Sequence, residues 1–156
     1  MINNDVLRSI RYSLDLSDAK VVEIIKLAER DIELAEVRNF LKKEDEAGFV
    51  DCGADVMVAF LDGLIILRRG KQEPKPDQPP KKQERRLTNN AILKKLRVAF
   101  ELKEEDMHQL LERAGFTVSK PELSALFRSK GHSNYRTCGD QFLRNFLKGL
   151  SMRLRP

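Results

Sequence analysis

The 156-residue sequence has no tryptophan, only two tyrosines, two cysteines and two histidines. Two cysteines cannot build the disulfide framework that small secreted domains use in place of a large core. The histidines, His108 and His132, are isolated, with no second ligand at helical spacing, so no metal is expected. The glycines form neither G-x-G-x-x-G nor G-x-x-x-x-G-K-[ST], and H-E-x-x-H, G-x-S-x-G and C-x-x-C are also absent. No nucleophile, base and orienter stand together, so no enzymatic activity and no cofactor are expected. Long hydrophobic runs are missing too. The longest, Val56 to Leu67, is interrupted by Asp62 and is too short to span a bilayer. No basic, then apolar, leader opens the chain, and a reducing, cytoplasmic setting is the expectation.

What the chain does have is a duplication. Shifted by 86 residues, Asn3–Arg69 lies on Asn89–Arg155 without a gap. Fourteen of the 67 positions are identical, among them Asn3/Asn89, Asn4/Asn90, Leu7/Leu93, Arg11/Arg97, Leu16/Leu102, Glu36/Glu122, Cys52/Cys138, Gly53/Gly139, Phe60/Phe146, Gly63/Gly149 and Arg69/Arg155. Average residue usage gives unrelated segments about one match in fifteen. An internal repeat of this length predicts two copies of one structural unit. Each copy alone is near the lower size limit for a stable core.

Charge divides the copies. Residues 1–70 carry 10 basic and 14 acidic side chains, and residues 87–156 carry 13 and 7. The acidic copy can attract the basic one as readily as the basic copy attracts nucleic acid. Between them, residues 71–86 hold four of the six prolines and almost nothing apolar, the composition of an extended linker. The predicted domains are therefore repeat 1 over 1–70, a linker over 71–86 and repeat 2 over 87–156.

Apolar spacing predicts four helices per repeat. The first is capped by Asn4 or Asn90 and carries Leu7, Ile10 and Leu14 in copy one. Ser17 caps the second. Ser119-Lys-Pro-Glu122 reads as a capping box for the third helix of copy two. The fourth runs from about Cys52 to Arg69, with Asp51 and Thr137 as its caps. The expected fold is all-α: two four-helix repeats packed with pseudo-twofold symmetry, their fourth helices near the shared interface.

Four sets of residues are candidates for function. Cys52 and Cys138, in the first turn of the fourth helix, are either redox-responsive thiols with a lowered pKa or small buried residues. Arg11 and Arg97 are either anion ligands or partners of Glu36 and Glu122 in the same repeat. In repeat 1 the fourth helix is apolar nearly all round, and Val58, Ala59, Ile65 and Ile66 must face the sister repeat, a second chain or a foreign protein. In repeat 2, Arg136, Arg144, Lys148, Arg153 and Arg155, joined by the linker's Lys81, Lys82, Arg85 and Arg86, could contact phosphates. The turn Ala114–Ser119 does not place its glycine in helix-turn-helix register.

The phrases Asn3-Asn-Asp-Val-Leu-Arg-Ser-Ile-Arg-Tyr12, Lys42-Lys-Glu-Asp-Glu-Ala-Gly-Phe49 and Cys138-Gly-Asp-Gln-Phe-Leu-Arg-Asn-Phe-Leu-Lys-Gly-Leu150 resemble the YehS-like family of small bacterial proteins, across both repeats. That resemblance implies a bacterial, cytoplasmic, helical protein of two repeats and unknown function, and it carries over no catalytic residue. Two function classes follow. One is a non-enzymatic interaction or adaptor protein that binds a protein partner or itself. The other is a nucleic-acid-associated protein using the basic repeat. No membrane association is expected.

Overall fold

A computed structural model describes residues 1–71 and 87–156. The predicted linker lies, apart from Lys71, outside the described residues, and with it Lys81, Lys82, Arg85 and Arg86. The described residues form eight helices: α1 (Asn3–Ser13), α2 (Asp18–Leu27), α3 (Leu34–Leu41), α4 (Ala54–Arg69), α5 (Asn89–Ala99), α6 (Glu104–Arg113), α7 (Lys120–Leu126) and α8 (Asp140–Leu154). The described residues contain no strand, so the all-α class and the four-plus-four helix pattern hold.

Several helix ends follow the expected chemistry. Ser17 Oγ accepts the Lys20 N–H at 3.1 Å, and Ser119 Oγ accepts the Glu122 N–H at 3.2 Å. These bonds satisfy donors that the first helical turn leaves without partners. The first helix of each repeat ends in a left-handed residue, Asp15 (φ 53°) or Glu101 (φ 52°). The next residue, Leu16 or Leu102, then reaches back to the carbonyl of Arg11 or Arg97 at 2.9 and 3.0 Å. This is a Schellman closure with its apolar residue in place, and it explains the Leu16/Leu102 identity.

Two expected caps are corrected. Asn4 and Asn90 sit inside α1 and α5 rather than ahead of them, and both side chains are buried. The N-terminal donors are met otherwise: the Asp5 carboxylate accepts the Ile2 N–H, and Thr88 Oγ1 accepts the Ala91 N–H. The fourth helices are capped by Gly53 and Gly139, not by Asp51 and Thr137, and each begins two residues later than expected.

The buried asparagines instead clamp distant backbone. Asn4 Nδ2 donates to the carbonyls of Phe40 and Val50, both at 2.9 Å, while its Oδ1 accepts the Cys52 N–H at 2.9 Å. Asn90 repeats this with Leu126, Arg136 and Cys138 at 3.0, 2.9 and 2.8 Å. Asn3 and Asn89 add bonds to the carbonyls of Cys52 and Cys138. The Asn-Asn pair therefore fixes the end of the third helix and the approach to the fourth. A buried amide satisfied in this way costs little, whereas its loss strands several backbone groups.

Packing between the repeats is crossed. The fourth helix lies against the second helix of its own repeat, α4 on α2 and α8 on α6, and against the first helix of the other repeat, α4 on α5 and α8 on α1. One apolar core runs through both copies, built on Leu7, Ile10, Ile24, Phe60 and Leu64 and their equivalents Leu93, Leu96, Leu110, Phe146 and Leu150. The close approach of α4 to α2 depends on Gly63. A Cβ there would clash with the Ile24 carbonyl oxygen and stand 2.7 Å from the carbonyl carbon. Gly149 meets Leu110 of α6 in the same way, with the carbonyl carbon at 2.6 Å. This is the physical content of the Gly63/Gly149 identity.

Candidate functional site

The two ends of the chain's charge meet at the repeat interface. Lys95 of α5 pairs with Asp62 of α4 at 2.6 Å, so the one charge inside the apolar run of α4 is used between the repeats. Arg69 Nε lies 3.1 Å from Glu101, and its Nη1 reaches the Val98 carbonyl at 3.5 Å. Arg155 does the equivalent on the other side. It donates to the Tyr12 carbonyl at 3.0 Å, stacks over the Tyr12 ring at 4.4 Å and lies 4.0 Å from Asp15. The Arg69/Arg155 identity is thus a pair of staples from each fourth helix to the capped end of the other repeat's first helix. Arg68 adds a bond to the Ala99 carbonyl at 3.1 Å and stacks on Phe100 at 4.3 Å.

These contacts sort the candidate residues. On α4, Ala59 is buried and Ile65 packs against the common core, while Val58 and Ile66 are half-buried. The adjoining Leu67 is 42% exposed, as is Leu27 of α2. Among the basic residues, Arg155 is held as described, and Arg153 lies 3.4 Å from Asp106. Arg136, Arg144 and Lys148 are exposed and have no carboxylate within ion-pair distance among the described residues.

Of the two readings of the thiols, the structure agrees with the buried one. Cys52 and Cys138 lie just before the capping glycines and are buried. Burial, aided by the neighbouring carboxylates of Asp55 and Asp140, pushes each pKa up to about 12. The alternative of a lowered pKa does not fit these surroundings. Each thiol donates to the carbonyl of the glycine that follows it, and desolvation and a nearby negative charge both oppose a thiolate.

The expected Arg11–Glu36 and Arg97–Glu122 pairs are also absent. Arg11 Nη2 pairs with Asp18 at 3.1 Å, and Arg97 Nε donates to the Leu102 carbonyl at 2.9 Å while its guanidinium covers Phe127 at 4.6 Å. Glu36 and Glu122 are exposed in the first turns of α3 and α7. There a carboxylate interacts favourably with the helix dipole, which accounts for their retention.

The chain offers little that looks catalytic. Among the described residues, no group of three or more His, Cys, Asp or Glu could hold a metal ion. His132 is exposed in a turn, where its Nδ1 accepts the Asn134 N–H. His108 lies 3.8 Å from Glu104 on α6. Two shallow depressions mark the surface of repeat 2, one beside Arg113 and Arg153, the other beside Arg97, Ser124 and Arg128. No helix of the described residues is long and apolar enough to cross a membrane.

A family profile described as "Protein of unknown function (DUF1456)" matches residues 3–70 and 89–155, the two halves of the duplication. The chain belongs to the DUF1456 family. It is 46% identical over 153 residues to the uncharacterized protein YehS of Escherichia coli (strain K12), covering 98% of this chain and 96% of that one. No solved structure matches. For this DUF1456 member, the positions shared by both repeats have structural roles: the asparagine clamp, the helix-crossing glycine and the arginine staple. Sequence reasoning missed all three, although the signal, identity between the copies, was visible.

Proposed function

We propose that this protein is a non-enzymatic protein-interaction module of the bacterial cytoplasm, with repeat 1 offering the surface that a partner protein covers. One observation carries the reading. At four positions the first copy is apolar where the second has arginine: Leu27 against Arg113, Val50 against Arg136, Val58 against Arg144 and Leu67 against Arg153. Three of these pairs lie on α2 and α4 or on α6 and α8 and the fourth, Val50 and Arg136, in the segments that precede α4 and α8; all are outside the buried core. Structural demands on the two copies are the same, since each fourth helix packs on equivalent neighbours. A difference confined to solvent-facing positions therefore points to what the surface meets, not to how it folds. Leu27 and Leu67, each 42% exposed in an acidic repeat, suit a partner that brings apolar and basic side chains.

The phosphate-binding alternative is weakened by occupancy. Arg155 and Arg153, two of its five side chains, are engaged by Tyr12 and Asp106. The remaining Arg136, Arg144 and Lys148 form a sparse set for backbone contact, which depends on the number of phosphates neutralised.

Photo-crosslinking amino acids placed at positions 27 and 67, with position 113 for comparison, test the proposal in cells. The expected result is one discrete protein adduct common to 27 and 67, absent at 113 and lost when the other leucine is changed to Glu. Purified protein that carries nucleic acid released by salt, with no protein adduct at either position, would replace this reading by the phosphate one.

A further inference from the structure

The two copies handle one shared arginine differently. In repeat 1, Asp18 bridges two guanidinium groups: its Oδ1 lies 3.1 Å from Arg11 and its Oδ2 lies 3.5 Å from Arg38. The oxyanion between the arginines is supplied by the chain itself. Repeat 2 keeps the first arginine as Arg97, but Ser124 stands in place of Arg38 and Glu104 in place of Asp18. Glu104 does not reach Arg97; its carboxylate lies 3.8 Å from His108 instead. Arg128, in the place of Lys42, supplies a second guanidinium on the same side.

The result is an open depression lined by Arg97, Glu104, Leu123, Ser124, Phe127 and Arg128. Arg97 is preset within it. Its Nε is taken by the Leu102 carbonyl at 2.9 Å and its plane rests on Phe127 at 4.6 Å. Its two terminal nitrogens make no hydrogen bond among the described residues. Among the described residues, no carboxylate lies within ion-pair distance of Arg97 or Arg128. A planar guanidinium held in this way loses little freedom on binding a tetrahedral oxyanion, and a hydroxyl beside it adds a further donor.

We infer that repeat 2 binds a small phosphate-class oxyanion in the depression of Arg97, Ser124 and Arg128, where repeat 1 holds its own Asp18 carboxylate. Arg97 and Arg128 supply the charge, and Ser124 Oγ donates a hydrogen bond. Glu104, the acidic group on the rim, favours a ligand that enters from the Arg128 side. The inference stands apart from the protein-interaction reading, which concerns repeat 1.

Titration of the full chain with inorganic phosphate at constant ionic strength, followed by NMR of backbone amides and arginine Nε–H groups, tests it. Saturating shifts are expected at Arg97, Ser124 and Arg128, with a dissociation constant on the order of 1 mM. Arg128→Gln, an exposed change that leaves the fold intact, should weaken binding about tenfold or more. Ser124→Asp puts a carboxylate back inside the chain and should abolish phosphate binding, whereas Arg11→Gln in repeat 1 should leave it unchanged. A nucleoside monophosphate run in parallel separates the sources. Tighter binding than inorganic phosphate assigns the site to an ester, and equal binding to the free ion. Shifts that stay linear to about 50 mM phosphate, or that Arg128→Gln leaves unaltered, would overturn the inference.

Discussion

Changing Gly63 to alanine adds one methyl group, and the structure places that methyl on backbone. Its carbon would clash with the Ile24 carbonyl oxygen, well inside contact distance, and stand 2.7 Å from the carbonyl carbon and 3.1 Å from Ile24 Cγ2. A flexible side chain could swing away, but a helix carbonyl cannot. Relief requires α4 to move off α2, and α4 is held on its other side by α5. Two terms compete. Alanine in a helix is favoured over glycine by about 1 kcal/mol. Overpacking a fixed core site costs about 1–3 kcal/mol and occasionally more, and here separation also loosens the contacts of Ile24, Phe60 and Leu64. The second term wins, and a net loss of about 2 kcal/mol is expected. For a chain of this size that is a fall in melting temperature on the order of 5 °C. Urea unfolding followed by far-ultraviolet circular dichroism would measure it, since the chain has no tryptophan to report. Gly149→Ala should show a matching loss, because its methyl meets Leu110 in the same way. Gly131→Ala, with nothing within 4 Å of the added carbon, serves as the control and should change little. A Gly63→Ala protein as stable as the parent would refute the reasoning, for it would mean that α4 and α2 are free to separate.

Asn4→Ala should cost about 3 kcal/mol, because it removes three hydrogen bonds and leaves the buried Cys52 N–H without a partner. Hydrogen exchange at Cys52 should then rise well before global unfolding, and unaltered protection there would count against the clamp. Thiol-specific labelling at pH 8 should leave both cysteines unmodified until urea unfolds the chain, since each pKa stands at about 12 when folded against an ordinary 9.0. The same shift means that the stability conferred by the buried thiols is full below pH 9.0 and is lost as pH rises toward about 12. In acid the sign reverses. The Lys103 N–H holds the Asp106 carboxyl below its ordinary 3.8, with Arg153 assisting, and the Met1 ammonium and Asn89 do the same for Asp140. A lowered folded pKa gives stability that is present above 3.8 and lost as pH falls through the folded value. Asp106→Asn should therefore flatten the acid limb of a melting-temperature profile while leaving the alkaline limb in place.

The fold was legible because the duplication doubled the evidence. Apolar pairs such as Phe60/Phe146 and Leu64/Leu150 mark the core in both copies. The errors share a cause: contacts distant in sequence. Asn4 looked like a local cap, since asparagine favours that position, yet its partners lie 36 to 48 residues away. Arg11 was assigned to a glutamate on α3, but Asp18, at the start of α2, stood nearer. Arg153 and Arg155 counted as exposed charge because nothing in their own helix binds them; their partners are Asp106 and residues of the other repeat. The surface on which function depends was the least legible part. Spacing along α4 separates apolar from polar sides, but it does not say which apolar residues α5 covers.

Crossed packing also sets the order in which the molecule can be finished. α4 gains its neighbour α5 only after the intervening linker has been made, and α1 waits for α8. The ion pair that ties these two helices spans 139 residues of sequence, from Met1 to Asp140. At a synthesis rate of about 5–20 residues per second, the outer side of α1 stays wet for roughly 10 seconds or more. A truncated product lacking α8 would carry that side bare. The presence of α8 is thus registered on the surface of α1, and a protease that reads exposed apolar helices would distinguish chains with α8 from chains without it.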